Sequence, residues 1–205
     1  LDAAEDFLAP SLRRALPDPS HLLDMDRAAA RLARAIQAGE KVAVFGDYDV
    51  DGATSSALLA RFFRALGRPL RVYIPDRVAE GYGPNAPALE KLRAEGIAVL
   101  VTVDCGLTAH AALKAGRDCG LEVIVVDHHA AEAELPPAAA VVNPNRLDET
   151  SPHKALAAVG VTFLLVVAIN RALRQAGWYG PERPEPNLLA WLDLVALGTV
   201  ADVVA

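Results

Sequence analysis

From Lys41 the chain repeats one pattern: a short apolar run, a polar turn, then a longer stretch with apolar positions three and four apart. KVAVF leads into the polar GDYDVDG, and a helical stretch follows over residues 53–66, closed by Gly67. LRVYI reads as a second strand. A loop with Gly81, Gly83 and Pro84 then leads to a helix capped by Asn85 and ended by Gly96. IAVLVTV is a third strand, running into Asp104-Cys105-Gly106; residues 108–119 are a helix closed by Gly120. LEVIVV is a fourth strand, running into Asp127-His128-His129, and AAVVN is a short fifth. Continuous apolar runs of this length suit strands covered on both faces, and strict strand–helix alternation implies right-handed parallel crossovers. The pattern predicts an α/β fold: a mostly parallel five-stranded sheet with helices on both faces, plus a C-terminal helical part.

The flanks depart from this rhythm. Residues 1–40 are expected to form an N-terminal helical segment, in which 24–39 carries Arg27, Arg31 and Arg34 at helical spacing. Such a face is solvated in most proteins, with phosphate tracking as the alternative. Residues 41–150 form the α/β core, and 151–205 a helical part built from the apolar stretch 155–169, a proline-rich link over 181–186 and a helix over 188–197. The stretch 155–169 is shorter than the ~18 to 20 residues of a membrane span, so it reads as a buried helix in which Gly160 permits close packing. Residues 1–20 hold acids and prolines where a secretory leader would need an apolar run.

Composition supports a packed core in a chain of 205 residues, with 53 % hydrophobic but only 5 % aromatic positions, so that Ala, Val and Leu fill it. Twenty basic residues stand against 26 acidic ones, a net charge of −6, which argues mildly against a nucleic-acid partner unless acids are gathered around cations. Cys105 and Cys119 lack metal-binding spacing, which disfavours a disulfide framework or structural zinc and fits a reducing compartment.

In an open parallel sheet, ligands bind beyond the carboxyl ends of the strands. Three expected strands deliver chemistry there: the first Asp47, Asp49 and Asp51, the third Asp104, and the fourth Asp127, His128 and His129. Carboxylates gathered at one edge repel each other, and divalent cations relieve the repulsion; an acid-rich site with a histidine suits Mn²⁺ or Mg²⁺. Asp49 and Asp51 can each reach a separate ion from a turning loop, and Asp104 can bridge two ions ~3.5 to 4 Å apart, as in two-metal phosphoryl hydrolysis. Gly46, Gly52 and Gly106 are expected to leave backbone space for phosphate oxygens near helix starts. One D-x-D-x-D-G loop alone could be a turn, but a calcium loop would need a bidentate glutamate that does not follow. A His pair after a strand is, alone, more often structural; three clusters at equivalent strand ends are far more selective. Cys105 has no clear activating basic neighbour and reads as a packing residue.

The ordered motifs GDYDVDG, DCG, DHH and GTVAD resemble those of the DHH phosphoesterase superfamily, and the wording GDYDVDGATS and LDLVALGTVADVV is most similar to its RecJ branch. The resemblance runs from about Lys41 to the end. It implies Asp49 and Asp51 as metal ligands, Asp104 as the bridging ligand, His128 as a ligand and Asp202 as the ligand of the fourth motif, with Asp127 and His129 supporting that shell and Asp47 and Asp127 as possible further ligands. His129 would act near the scissile phosphate, and Asp49, Asp51, Asp104, His128, His129 and Asp202 would be the catalytic set. Asp202 enters through the resemblance alone; spacing would have read it as a cap.

The resemblance further implies a cytoplasmic, monomeric 5′-to-3′ exonuclease for single-stranded DNA, releasing 5′-mononucleotides in DNA repair and recombination. A helicase and a single-strand-binding protein would be partners, with no membrane, and two Mn²⁺ or Mg²⁺ ions would be held, one more weakly. Phe45 stands where other branches carry an imidazole four residues before Asp49, which favours the RecJ-like branch and leaves one metal site short of a ligand. Relatives continue into DNA-gripping domains for which this sequence has no room, and that would account for its acidic balance. Arg61, Arg64 and Arg68 are candidates to meet DNA charge in a groove too narrow for a duplex, or a solvated helix face. The rival readings are a phosphodiesterase for short oligonucleotides or cyclic dinucleotides, and a non-catalytic nucleic-acid-binding relative. The intact ligand positions count against the second.

Overall fold

Five strands lie in the order β2-β1-β3-β4-β5, all parallel, in a computed structural model that describes residues 8–9 and 11–204. They are β1 (Val42–Gly46), β2 (Leu70–Tyr73), β3 (Val99–Val103), β4 (Glu122–Val126) and β5 (Ala140–Val142). β1 and β3 are buried at every position because both faces are covered, which is why their sequences show no alternation. Within β1, Val42 and Val44 point into one core and Ala43 and Phe45 into the other.

The first core is closed by α1 (Met25–Ala38), α2 (Val50–Ala65) and α5 (Ala158–Gln175), and the second by α3 (Ala86–Ala94) and α4 (His110–Asp118). The fold class matches the sequence expectation, helices on both faces included. At the C-terminal end a short turn, Leu188–Trp191, precedes α6 (Leu192–Ala201), so the helix expected over 188–197 begins later and runs further. Of the N-terminal segment expected over 1–40, residues 1–7 and 10 lie outside the described residues, and so does that much of the reading of 1–20.

One local expectation changes. The apolar stretch extends to an 18-residue helix, α5, long and apolar enough to cross a membrane by composition; yet 72 % of it is buried inside the protein, as a core helix is. Gly160 packs closely against one side chain: a Cβ there would stand 3.1 Å from Leu156 Cδ2 and 3.7 Å from its Cβ. Two of the three arginines of α1 are engaged as well: Arg31 donates to Glu122 at 2.9 Å and to Glu40 at 2.6 Å, and Arg27 to Asp24, which counts against phosphate tracking by that face.

The short edge strand β5 is tied to α1 by Arg146, which is 8 % exposed. Its guanidinium donates to the Val141 carbonyl at 2.7 Å, to Asp24 at 3.1 Å and to Asp148 at 2.9 and 2.7 Å. Arg146→Ala is expected to cost about 2 kcal/mol in urea unfolding, less than a fully buried ion pair because Asp148 is solvated.

The strand order places a topological switch between β1 and β3. The chain leaves β1 toward β2 on one side and returns to β3 on the other, so the loops after β1 and β3 part and open a crevice at their carboxyl ends.

Candidate metal centre

The crevice gathers the acids. Asp49 caps α2, its Oδ1 accepting the Gly52 N–H at 2.9 Å, so the chain turns into the helix there and carries Asp51 into its first turn. Asp104 follows β3 in the left-handed region, with φ of 61°, an uncommon backbone for a non-glycine residue and one that clusters at functional sites. His128 and His129 follow β4. Asp202 arrives from the end of α6.

The ligand atoms fall into three groups, each with all members within 4.8 Å of one another: Asp47, Asp49 and Asp104; Asp51, His128 and Asp202; and Asp104, His128 and His129. Asp104 and His128 join the groups, with His128 Nε2 at 3.4 Å from Asp104, 3.6 Å from Asp202 and 3.9 Å from Asp51. Asp49 and Asp51, two residues apart in sequence, therefore serve different groups. Phe45 lies in the second core, stacked on Tyr73 with ring centroids 5.2 Å apart, and brings no donor.

Asp127 takes the supporting role among those the resemblance implies, rather than that of a further ligand. It belongs to none of the three groups. Its Oδ1 accepts the amides of His128 and His129 at 2.8 and 3.2 Å and lies 2.7 Å from His129 Nδ1, while Oδ2 accepts the Leu107 amide at 3.3 Å. It braces the triplet against the loop after β3.

The electrostatics favour a cation. Asp104, 1 % exposed, has its pKa pushed up to about 7, by burial first, then by the charges of Asp51 and Asp49, against the lowering influence of His128. Burial also raises Asp51 and Asp47; two backbone amides oppose the shift at Asp51. Burial pulls the His128 imidazole down, but Asp104 and Asp202 more than reverse this and leave it raised. The hydrogen bond to Asp127 raises His129 to about 9, with the charges of Asp127, Asp104 and Asp202 adding to the shift. Asp47 Oδ1, Asp104 Oδ1 and His128 Nε2 are buried without a hydrogen-bond partner. Carboxylate and imidazole atoms left bare at one point are a set that a hard or borderline divalent ion completes.

The helices are fastened to the same point. Asp51 accepts the Ala158 and Val159 amides at 2.7 and 2.8 Å, so the N-terminus of α5 bears on a site carboxylate. Gly198 seats α6: a side chain there would lie 2.4 Å from Thr54 Oγ1, 2.8 Å from Val159 Cγ1 and 3.1 Å from Asp51 Oδ1. Gly198→Ala is expected to destabilise by about 1–3 kcal/mol despite alanine's better helix propensity, and to weaken Mn²⁺ binding by lifting Asp202 away. Thermal unfolding and calorimetry measure the two effects.

The other glycines correct an expectation. The volumes that side chains would take at Gly46, Gly52 and Gly106 are filled by Ser56, by the Asp47 backbone and by Thr102, not left open for phosphate. Arg61 sits 3.7 Å from Asp193, Arg68 lies over Trp178, and both, with Arg64, follow α2 away from its start at the site, roughly 16 Å or more along the helix. Groups missed in the sequence line the mouth instead. Tyr82 donates to the Asp104 carbonyl at 3.1 Å with its ring edge-on to His129, and Arg77 stacks over Tyr48 at 4.7 Å. Only their place in the loops after β1 and β2 could have hinted at them.

A model of the DHH family, N-terminal domain, matches residues 41–199. Among curated relatives, the single-stranded-DNA-specific exonuclease RecJ of Salmonella typhimurium is 44 % identical over 185 residues, 89 % of this chain and 32 % of that protein. A crystal structure of exonuclease RecJ bound to manganese superposes with a TM-score of 0.73 at 38 % identity, covering 88 % of this chain and 44 % of that one. RecJ from Thermus thermophilus in complex with Mg²⁺ gives 0.59 at 30 % identity, covering 97 % of this chain and 22 % of that one. The chain thus spans about a third of the length of the curated relative it matches.

Proposed function

This chain belongs to the DHH family, and from that premise we propose that it is the catalytic part of a metal-dependent 5′-to-3′ exonuclease hydrolysing single-stranded DNA to 5′-mononucleotides. The observation that carries the reading is the convergence of Asp47, Asp49, Asp51, Asp104, His128 and Asp202 at the sheet's switch point. Asp51, His128 and Asp202 would hold one Mn²⁺ or Mg²⁺, and Asp47, Asp49 and Asp104 a second; the all-carboxylate group, with Phe45 where an imidazole would complete it, is the weaker. Bound there, divalent ions make water acidic enough to attack a phosphodiester at neutral pH and offset charge on the phosphate oxygens.

The chain's own groups supply the rest. His129 is half exposed and fixed through Nδ1 on Asp127, so its ring, when protonated, would donate through Nε2 to a phosphate oxygen. Asp104 keeps His128 directed at the centre. Tyr48, Tyr82 and Arg77 at the mouth offer faces for unpaired bases and a charge for the backbone, a combination that suits single strands.

Residues 41–150 carry three motifs and 151–205 the fourth, and both parts are needed for one centre. We place the activity in cytoplasmic DNA repair and recombination, as a monomer beside a helicase and a single-strand-binding protein. Two free thiols, one buried and one exposed, suit a reducing compartment.

The test compares a long 5′-phosphorylated single strand, its duplex and a dinucleotide, with Mn²⁺ and after EDTA. Metal-dependent release of 5′-mononucleotides from the long single strand is expected. Preference for the dinucleotide would favour the short-oligonucleotide phosphodiesterase, and failure to bind Mn²⁺ would remove the catalytic reading.

A further inference from the structure

Beyond β4 the backbone of the DHH triplet leaves the sheet. The last ladder bond to β5 is the Asp127 amide donating to the Val142 carbonyl at 3.1 Å. The carbonyls of His128 and His129 lie past the end of that ladder. Side chains take over its pattern: Asn143, fully buried, donates through Nδ2 to the His129 carbonyl at 2.9 Å, and Asn145 donates through Nδ2 to the His128 carbonyl at 2.5 Å. We propose that Asn143 and Asn145 are positioning residues that extend the sheet by side-chain amides and so hold the two histidines in the orientation the metal centre requires. The inference rests on the metal-centre reading for its consequence, but not for its geometry.

The clamp is itself fastened. Pro144 between the two asparagines has no N–H and a restricted φ, which stiffens the turn. Its carbonyl accepts from Lys154 Nζ at 2.5 Å, and the same ammonium donates to the Glu149 carbonyl at 3.1 Å. Asn145 Nδ2 also reaches the Lys154 carbonyl at 3.4 Å. The loop leading to α5, whose N-terminus bears on Asp51, is thereby coupled to both histidines.

A plainer role for Asn143 would be turn formation, because its Oδ1 accepts the Asn145 amide at 2.6 Å. That role needs only the acceptor, which aspartate keeps. Holding the carbonyls needs the Nδ2 donor, which aspartate lacks and whose replacement sets a carboxylate against a carbonyl oxygen. Asn145 contributes its main-chain amide to the turn and its side chain to the clamp, so Asn145→Ala leaves the turn bonds in place.

The experiment uses this chain with Asn143→Asp, Asn145→Asp and Asn145→Ala, read by Mn²⁺ calorimetry and by imidazole ¹⁵N signals of the metal-free protein. Asn85→Ala, which removes the cap of α3, controls for stability. The clamp predicts displaced His128 signals in both Asn145 variants, displaced His129 signals in Asn143→Asp, and ~10-fold to 100-fold weaker Mn²⁺ binding, a loss Asn85→Ala does not reproduce. Unmoved histidine signals, or an equal loss in Asn85→Ala, would overturn it. Should the unsubstituted chain bind no Mn²⁺, the metal reading fails, and the metal-free histidine signals still decide the clamp.

Discussion

Asp104→Asn is expected to lower Mn²⁺ affinity more than ~100-fold while leaving the metal-free fold at least as stable as before. Asn tolerates the left-handed backbone that Asp104 adopts, so the change removes charge with little new strain. Asp104 is the carboxylate common to the all-oxygen group and to the surroundings of His128, and losing it disables both metal positions together. In the metal-free protein the same charge is a cost. With its folded pKa raised to about 7 by burial and its acidic neighbours, Asp104 binds a proton more tightly folded than unfolded. Its contribution therefore lowers stability as pH rises from the ordinary carboxylate range toward 7. Asp104→Asn should flatten that part of the pH–stability curve, and added Mn²⁺ should stabilise the unsubstituted chain but not the variant. Retained Mn²⁺ binding would remove Asp104 from the centre.

Gly52→Ala is expected to be the most damaging single methyl group in this chain, at about 3 kcal/mol or more, with Mn²⁺ binding lost in whatever folds. A Cβ at position 52 would stand 2.5 Å from the Asp47 carbonyl oxygen, 2.7 Å from its nitrogen and 2.8 Å from its carbonyl carbon. All three are backbone atoms, so no rotamer change relieves the clash. The loop from Asp47 to Asp51 must shift, and it carries three acids of the centre. Gly160→Ala is the internal control: the nearest atoms to the new methyl all belong to the Leu156 side chain, Cδ2 at 3.1 Å being the closest, and helix propensity favours alanine by up to ~1 kcal/mol. Chemical denaturation of the pair separates a local backbone clash from any general intolerance to alanine.

How much of this was legible differs by element. β1, β3 and β4 were readable as mainly apolar runs, broken only by Thr102 and by Glu122 at the exposed start of β4, because a strand covered on both faces favours apolar residues without alternation. Their ends were readable too, since polarity returns sharply at Asp47, Asp104 and Asp127. Asp127 was open between two roles, ligand and support of the ligands. Nothing in the triplet distinguishes a carboxylate facing the crevice from one turned back onto the amides of its neighbours. For Arg61, Arg64 and Arg68 both readings stood open in the sequence, because helical spacing shows which residues share a face but not what that face meets. The distinction between Gly160 and Gly198 was likewise hidden, because a glycine in a helical stretch carries no mark of what packs against it.

The fold class, the parallel order of strand and helix, and the edge of the sheet at which acids and imidazoles accumulate were all legible in the amino-acid order alone. Those follow from local periodicity and from the polarity of parallel strands, which sends every strand's carboxyl end to one side. The motif order also pointed to Asp202. It took the packed elements to reveal that α5 and α6 close on the centre through Asp51 and Gly198, and that Asn143 and Asn145 hold the histidine carbonyls. Each joins segments from different elements through contacts of a few ångströms, and such contacts leave no periodic signal because their energy depends on where the elements pack.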